Sequence, residues 1–184
     1  MPQHDKLSNV FVILNEVKNL MIPNITTDQL FELLSAIPDP EIPVINIIEL
    51  GILREVKWDG ETCTVVITPT YSGCPAMKVI EDDIRIKLKE IGIENVKVDL
   101  VYTPAWTTDW ISDEAKEKLR AYGIAPPEHS SVDKGLLTGK VRHLKCPQCG
   151  SENVSMISQF GSTACKALYR CNDCREPFDY FKCI

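Results

Sequence analysis

Thr68-Pro69-Thr70-Tyr71-Ser72-Gly73-Cys74-Pro75 decides how the first domain of this chain folds. Two prolines and a glycine within it favour neither a strand ladder nor a helix, so it is a loop. Before it, residues 61–68 alternate: Cys63, Val65 and Ile67 share one face, and Thr62, Thr64, Val66 and Thr68 the other. Asp59-Gly60 joins this run to residues 52–58 and predicts a hairpin with a type I′ turn. Ile52, Arg54, Val56 and Trp58 should then lie on one side of the first strand. After the loop, Pro75 suits the first position of a helix running to about Ile91. Its apolar stripe is Met77, Ile80, Ile84, Leu88 and Ile91.

Upstream, Thr26 or Thr27 caps a helix whose positive end takes Asp28 and whose apolar face is Leu30, Phe31, Leu33, Leu34 and Ile37. Pro38 and Pro40 end it. Ile37-Pro38-Asp39-Pro40-Glu41-Ile42-Pro43 is a stiff loop carrying two carboxylates, because three prolines fix its backbone and remove donors. Downstream, residues 96–102 form a third strand, with Val96, Val98, Leu100 and Tyr102 on one side. Ser112 caps a last helix, with Asp113 and Glu114 in its first turn, that stops near Gly123. This order gives a small α+β domain over residues 26–125, with helices on a mixed or antiparallel sheet.

The composition bounds the rest. A chain of 184 residues with 44% apolar and 25% charged side chains is ordinary for a globular protein, which argues against wholesale disorder. No run of about 18 apolar residues predicts a membrane span. The net charge of −6 hides an asymmetry. Residues 1–133 carry 12 basic and 22 acidic side chains; residues 134–184 carry 8 and 4. Six of the eight cysteines fall at or after Cys146. Both shifts place a boundary near 130–140, and Pro126-Pro127-Glu128-His129-Ser130-Ser131 supplies linker chemistry for residues 126–140. Residues 1–25 read as a frayed extension, with a docking segment as the alternative. No secretory signal is legible, so the expected location is the cytoplasm, where thiols stay reduced and paired CxxC turns act as metal ligands.

Cys146-Pro147-Gln148-Cys149-Gly150 and Cys171-Asn172-Asp173-Cys174 are two such turns, with 21 residues between Cys149 and Cys171. Facing each other, they make the tetrahedral sulfur cage that structural zinc requires, ahead of iron or an iron–sulfur cluster. Gly150 permits the left-handed backbone of such a knuckle. Residues 141–184 are therefore a C-terminal zinc-ribbon domain, stapled by its metal. Reduced or disulfide-bonded pairs are the alternative. Cys165 and Cys183 are left over. Each reads either as a small apolar or tail thiol, or as an auxiliary member of a second ligand set.

Cys74 is the prominent thiol of the first domain. At a helix start, free amides and the helix dipole should lower its pKa toward the thiolate that soft metals and nucleophilic chemistry need. Asp39 and Glu41 add carboxylates if the fold brings them near; otherwise all three merely cap turns. Cys63 reads as core. Trp106 and Trp110 read as packing residues, with Trp106 able to wall a site. No Walker loop, GxGxxG, HExxH or GxSxG is present. With only His4, His129 and His143, a catalytic Cys–His pair has little support, and an enzymatic role is not expected.

Asp39-Pro40-Glu41-Ile42-Pro43, Glu49-Leu50-Gly51 and the 68–75 loop together resemble the metal–sulfur cluster assembly domain. Residues 103–111, 122–127, 160–171 and 176–183 resemble the phenylacetate-degradation D family, called PaaD or PaaJ. The resemblance runs from about Thr26 to Ile184. It implies an accessory beside the oxygenase that epoxidises the ring of phenylacetyl-CoA, a complex with a diiron oxygenase part and a reductase carrying flavin and an iron–sulfur cluster. It implies help in maturing a metal centre rather than epoxidation itself. Cys74 matches the family's assembly-domain cysteine, Asp39 and Glu41 its acidic loop, and Cys146, Cys149, Cys171 and Cys174 its ribbon ligands; Cys165 lies inside the family's C-terminal motif.

The expected function is therefore maturation of a phenylacetyl-CoA oxygenase component, the iron–sulfur reductase first, with zinc in the ribbon and iron or a cluster in transit at Cys74. An electron-carrying or structural part of the oxygenase complex is one alternative. A zinc-ribbon nucleic-acid binder is another, opposed by the acidic first domain. Self-association into a homo-oligomer stays open.

Overall fold

A computed structural model of the chain describes residues 25–127 and 144–182. The expected N-terminal extension (but for Ile25), most of the expected linker, Cys183 and all three histidines lie outside the described residues. The described elements run α1 (Thr27–Leu34), β1 (Leu53–Trp58), β2 (Thr62–Ile67), α2 (Ala76–Glu90), β3 (Asn95–Leu100), a single 3-10 turn (Thr108–Trp110), α3 (Asp113–Tyr122), β4 (Ile124–Ala125), β5 (Val154–Ser158), β6 (Lys166–Cys171) and β7 (Pro177–Phe181). None of these helices is long and apolar enough to cross a membrane.

The first sheet has the order β1-β2-β3. β1 and β2 are antiparallel, and β2 and β3 parallel, so the sheet is mixed, with α2 as the crossover. Leu30 and Leu34 of α1 and Ile80, Ile84 and Leu88 of α2 are fully buried against Cys63, Val65 and Ile67. Each such aliphatic side chain contributes roughly 1.5–3 kcal/mol on leaving water. Thr26 and Gln29 form a capping box on α1. Ser112 Oγ caps α3 by accepting from the Ala115 N–H.

Three local expectations change. A register shift between Leu53 and Glu55 breaks the alternation of β1, so Leu53 is buried and Arg54 is exposed. Arg54 instead lays its guanidinium 3.7 Å from the centroid of the Trp110 ring. The hairpin turn is not type I′, since only Gly60 there has a positive φ; Asp59 Oδ1 accepts the Glu61 and Thr62 N–H groups instead. Leu100, which ends β3, and Tyr102 beyond it are exposed rather than sharing a buried face with Val96 and Val98.

The ribbon sheet has the order β4-β7-β6-β5. β4, just before the twin prolines, pairs in parallel with β7 through Ile124↔Asp179 and Ala125↔Tyr180. A third ribbon strand and this borrowed fourth one are not legible in the CxxC spacing. Cys165 and Phe181 of the ribbon belong to the same buried cluster as α1 and α2. Trp106 packs edge-on against Phe181, with centroids 5.9 Å apart, and its Nε1–H donates to the Leu50 carbonyl at 2.8 Å. Gly51 beside it has φ 71°, and a Cβ there would meet Trp110 Cβ at 2.7 Å, so the Glu49-Leu50-Gly51 turn is shaped for that tryptophan loop.

Candidate functional site

The two CxxC turns face each other. Cys146 Sγ lies 3.7 Å from Cys174 Sγ, and Cys149 Sγ 3.6 Å from Cys171 Sγ. All four ligand atoms lie within 4.8 Å of one another. Sulfurs at the corners of a tetrahedron with bonds of about 2.3 Å stand about 3.8 Å apart, so the cage fits zinc in size and donor type. The separations exceed a disulfide bond of about 2.05 Å, and the described cysteines are free thiols.

Each turn is closed by a residue of positive φ just after its second cysteine: Gly150 at 74° and, without the benefit of a glycine, Arg175 at 72°. The Gly150 N–H donates to the Cys146 carbonyl, and the Arg175 N–H to that of Cys171. Backbone N–H groups, that of Cys174 foremost, bring the Cys171 thiol down to about 7. Around the cage, Asp173 accepts from Ser151 Oγ and Asn153 Nδ2, and Asn172 donates to Asn153 Oδ1. These contacts stitch one turn to the other, a support that fixes ligand orientation.

A second group forms where the 37–51 loop, the 68–75 loop and the ribbon meet. Asp39 is buried, and its Oδ1 accepts the N–H groups of Glu41 at 2.9 Å and Ile42 at 2.8 Å, while its own N–H donates to the Ile45 carbonyl. Burial leads in raising its pKa above the usual carboxylate value, against those two hydrogen bonds. Asp39 is thus the internal brace of the loop. Glu41 is half-exposed, and its carboxylate acts on Cys74, Tyr71 and Cys165 alike.

Cys74 sits as expected at the mouth of α2, half-buried, with Pro75 at the cap position and its N–H donating to the Tyr71 carbonyl. Its expected acidity is overturned. Burial leads in raising the thiol pKa, and the charges of Glu41 and Asp39 add to it; the Ala76 N–H and the Tyr71 hydroxyl only partly offset them. The amides stabilise a thiolate, but desolvation and two nearby carboxylates win. Tyr71 is pushed up to about 12 by burial first and then by Cys74.

Cys165, which the sequence leaves with two readings, has explicit surroundings in the fold. It is 4% exposed, its Sγ lies 3.0 Å from Thr163 Oγ1, and it donates to Glu41 Oε2 at 3.5 Å. Burial pushes this thiol up to about 11. Lys166, also buried, lends its positive charge to Asp39 and Cys165. Beside this group a cleft of about 590 Å³ has Glu41, Lys166, Ser162 and Asp179 among its polar walls and Phe160 and Phe178 among its apolar ones. Sequence reasoning misses the part played by Tyr71 and Lys166; only the packing of loop on ribbon reveals them.

Comparison with known proteins matches these two regions separately. The family described as iron-sulfur cluster assembly protein matches residues 27–100, and the PaaD zinc beta ribbon domain matches residues 130–182. A protein of Escherichia coli (strain K12), named as one of the subunits of a "Putative 1,2-phenylacetyl-CoA epoxidase", is 51% identical over 156 residues, which cover 85% of this chain and 92% of that protein. An Fe-S protein maturation auxiliary factor of Porphyromonas gingivalis is 36% identical, over 51% of this chain and 90% of its own length. The Fe-S protein maturation auxiliary factor SufT of Staphylococcus aureus is 41% identical, over 44% of this chain and 93% of its own length.

Proposed function

This chain belongs to the PaaD family, and from that premise we propose that it is a non-catalytic accessory of a phenylacetyl-CoA epoxidase system that helps load iron or an iron–sulfur cluster into one of its components. The iron–sulfur reductase is the recipient this reading favours. The supporting observation is the pairing, in one chain, of a matched cluster-assembly region holding Cys74 beside Glu41 with a matched zinc ribbon. The names of the shorter relatives, which align to about half of this chain, agree with it.

In this reading the four ribbon thiolates hold zinc for structure, closing a coordination shell that leaves no open position for chemistry. Cys74 is the contact point for the cargo. A protonated, half-buried thiol suits passing duty: it binds when an incoming ion displaces its proton, and it releases when the proton returns. Glu41 accepts charge and proton nearby, and Asp39 holds the loop that presents Glu41.

The test is genetic and biochemical. In phenylacetate-degrading cells whose own copy of this gene is deleted, a plasmid copy should restore the iron and sulfide content of the purified reductase. A Cys74→Ser copy should leave it at the deletion level. Full restoration by Cys74→Ser would end the assignment.

A further inference from the structure

We propose that the outer edge of β3 pairs with the same strand of a second copy of the chain, antiparallel and centred on Val98, so that two first sheets join into one continuous sheet. This surface lies apart from the zinc cage, and the proposal is independent of the reading of Cys74.

Among the described residues β3 has a strand partner on one side only, since the sheet order is β1-β2-β3. The Val101 N–H donates to the Ile67 carbonyl at 2.9 Å. Main-chain groups alternate in direction along a strand, so Lys97, Asp99 and Val101 turn theirs toward β2, and Val96, Val98 and Leu100 turn theirs outward. The Arg85 side chain agrees with this assignment: from α2 its Nη1 donates to the Val96 carbonyl. Val98 and Leu100 therefore present donors and acceptors to the outside, the row on which another strand can be added.

The charges select both the occupant and the register. Val96 and Val98 stand opposite Cys63 and Val65 and share their helix-covered side, which leaves Lys97 and Asp99 on the other face. There Lys97 Nζ lies 2.9 Å from Asp99 Oδ2, with both side chains exposed. An antiparallel pair centred on Val98 sets Lys97 against the other copy's Asp99, and Asp99 against the other copy's Lys97. These are the positions without hydrogen bonds between them, where facing Cα atoms approach to about 4.5 Å. Centring the pair on Lys97 would oppose two ammonium groups, and centring it on Asp99 two carboxylates. The strand is complementary to itself in the Val98 register and not in its neighbours, and self-complementarity is what a two-fold interface requires. On the helix side Val98 meets Val98, and Leu100, 42% exposed, covers the other copy's half-buried Val96. The Val96 carbonyl keeps a second lone pair for the Leu100 N–H of the other copy.

The other edges fit less well. β1 repeats the alternation with Glu55 and Lys57, which pair at 2.8 Å. Its register shift between Leu53 and Glu55 breaks the ladder, and Arg54 is drawn over Trp110. Such a bulge blunts an edge against strand addition. β3 follows β2 without a shift from Asn95 to Leu100. β5, at the edge of the ribbon sheet, has no charged side chain to set a register. Pairing of one short strand buries less than a standard interface, so the association is weak and depends on concentration.

Sedimentation equilibrium of the full, zinc-loaded chain from about 1 µM to about 1 mM, the span in which weak association shows, tests this. The wild type should pass from monomer to dimer. Lys97→Glu should weaken self-association by about 10-fold or more, because it opposes acidic groups at both charge pairs. Combining Lys97→Glu with Asp99→Lys should restore the wild-type constant, and Lys57→Glu on β1 should leave it unchanged. A chain monomeric throughout, a dimer that Lys97→Glu does not weaken, or a charge swap that fails to restore association would overturn the proposal. Should the variants fail to fold, amide exchange on the wild type decides alone. The Val98 and Leu100 amides should gain protection as concentration rises, and exchange that ignores concentration sinks the β3 edge.

Discussion

The Cys165 thiol donates to the Glu41 carboxylate across 3.5 Å, joining residues 124 positions apart. Two further ties join the ribbon to the first domain: the Trp106–Phe181 edge-on pair and the parallel pairing of β4 with β7. Each tie uses a different kind of force: a charge-assisted polar contact, aromatic packing and main-chain hydrogen bonding. Loss of zinc and damage to the assembly region should therefore be felt on both sides.

Phe181→Ala tests the packing tie. Phe181 is 1% exposed and lies in the core beside Trp106, so truncation leaves a cavity. The expected cost is about 3–5 kcal/mol. Urea unfolding followed by far-ultraviolet dichroism measures it. The same variant should release zinc at lower urea than the wild type, because β7 carries Phe181. A cost below about 1 kcal/mol would show that the two regions do not depend on this contact.

Zinc removal tests the cage. The ribbon's own buried cluster is small, led by Tyr169, Phe178 and Tyr180, and structural zinc in isolated fingers contributes on the order of 10 kcal/mol at neutral pH. A strong chelator should abolish the dichroism of β5 to β7 and change tryptophan fluorescence as the Phe181 contact with Trp106 loosens. Elemental analysis should give one zinc per chain in the wild type and substantially less in Cys174→Ser. Unchanged strand signal after full zinc loss would refute the staple.

The first region is largely legible in sequence because its signals are local. The alternation Cys63-Val65-Ile67, the stripe Met77-Ile80-Ile84-Leu88 and the Ser112 cap all survive in the structure. The CxxC pairs are legible for the same reason: four sulfurs at fixed spacing have few other uses. What stays hidden is non-local. No pattern in Ile124-Ala125 announces a strand, since its partner Asp179-Tyr180 lies far along the chain. Sequence alone misleads on the sign of the Cys74 pKa shift, because helix amides are visible there, whereas burial and the approach of Glu41 and Asp39 exist only in the fold.

Asp39→Asn separates the brace from the site. Burial raises the folded pKa of Asp39 above its ordinary 3.8. A carboxyl so raised contributes stability below 3.8 that is lost as pH climbs through the higher folded value. Asparagine keeps an oxygen for the Glu41 and Ile42 N–H groups but carries no charge. The stability of Asp39→Asn relative to wild type should thus rise with pH across that window and then level off. Asp39→Ala, which strands two donors, should lose about 1–3 kcal/mol for each at every pH. Denaturant midpoints against pH decide, and a relative stability that falls with pH would contradict the burial argument.

Alkylation of Cys74 gives the sharpest check on the corrected acidity. Its thiol is half-buried, with its pKa raised by burial first and then by Glu41 among other groups, so it is largely protonated at neutral pH. Cys63 and Cys165 are more deeply buried and pushed up to about 11, and the ribbon thiols are held by metal in the zinc-loaded protein. Iodoacetamide followed by peptide mass mapping should therefore modify Cys74 ahead of Cys63 and Cys165. The Cys74 rate should rise with pH over a range displaced above that of an ordinary thiol. Glu41→Gln removes one of the opposing charges and should move the whole profile to lower pH. A Cys74 rate that saturates near neutrality would restore the helix-dipole expectation, and a Glu41→Gln profile identical to wild type would place Glu41 outside the electrostatic reach of Cys74.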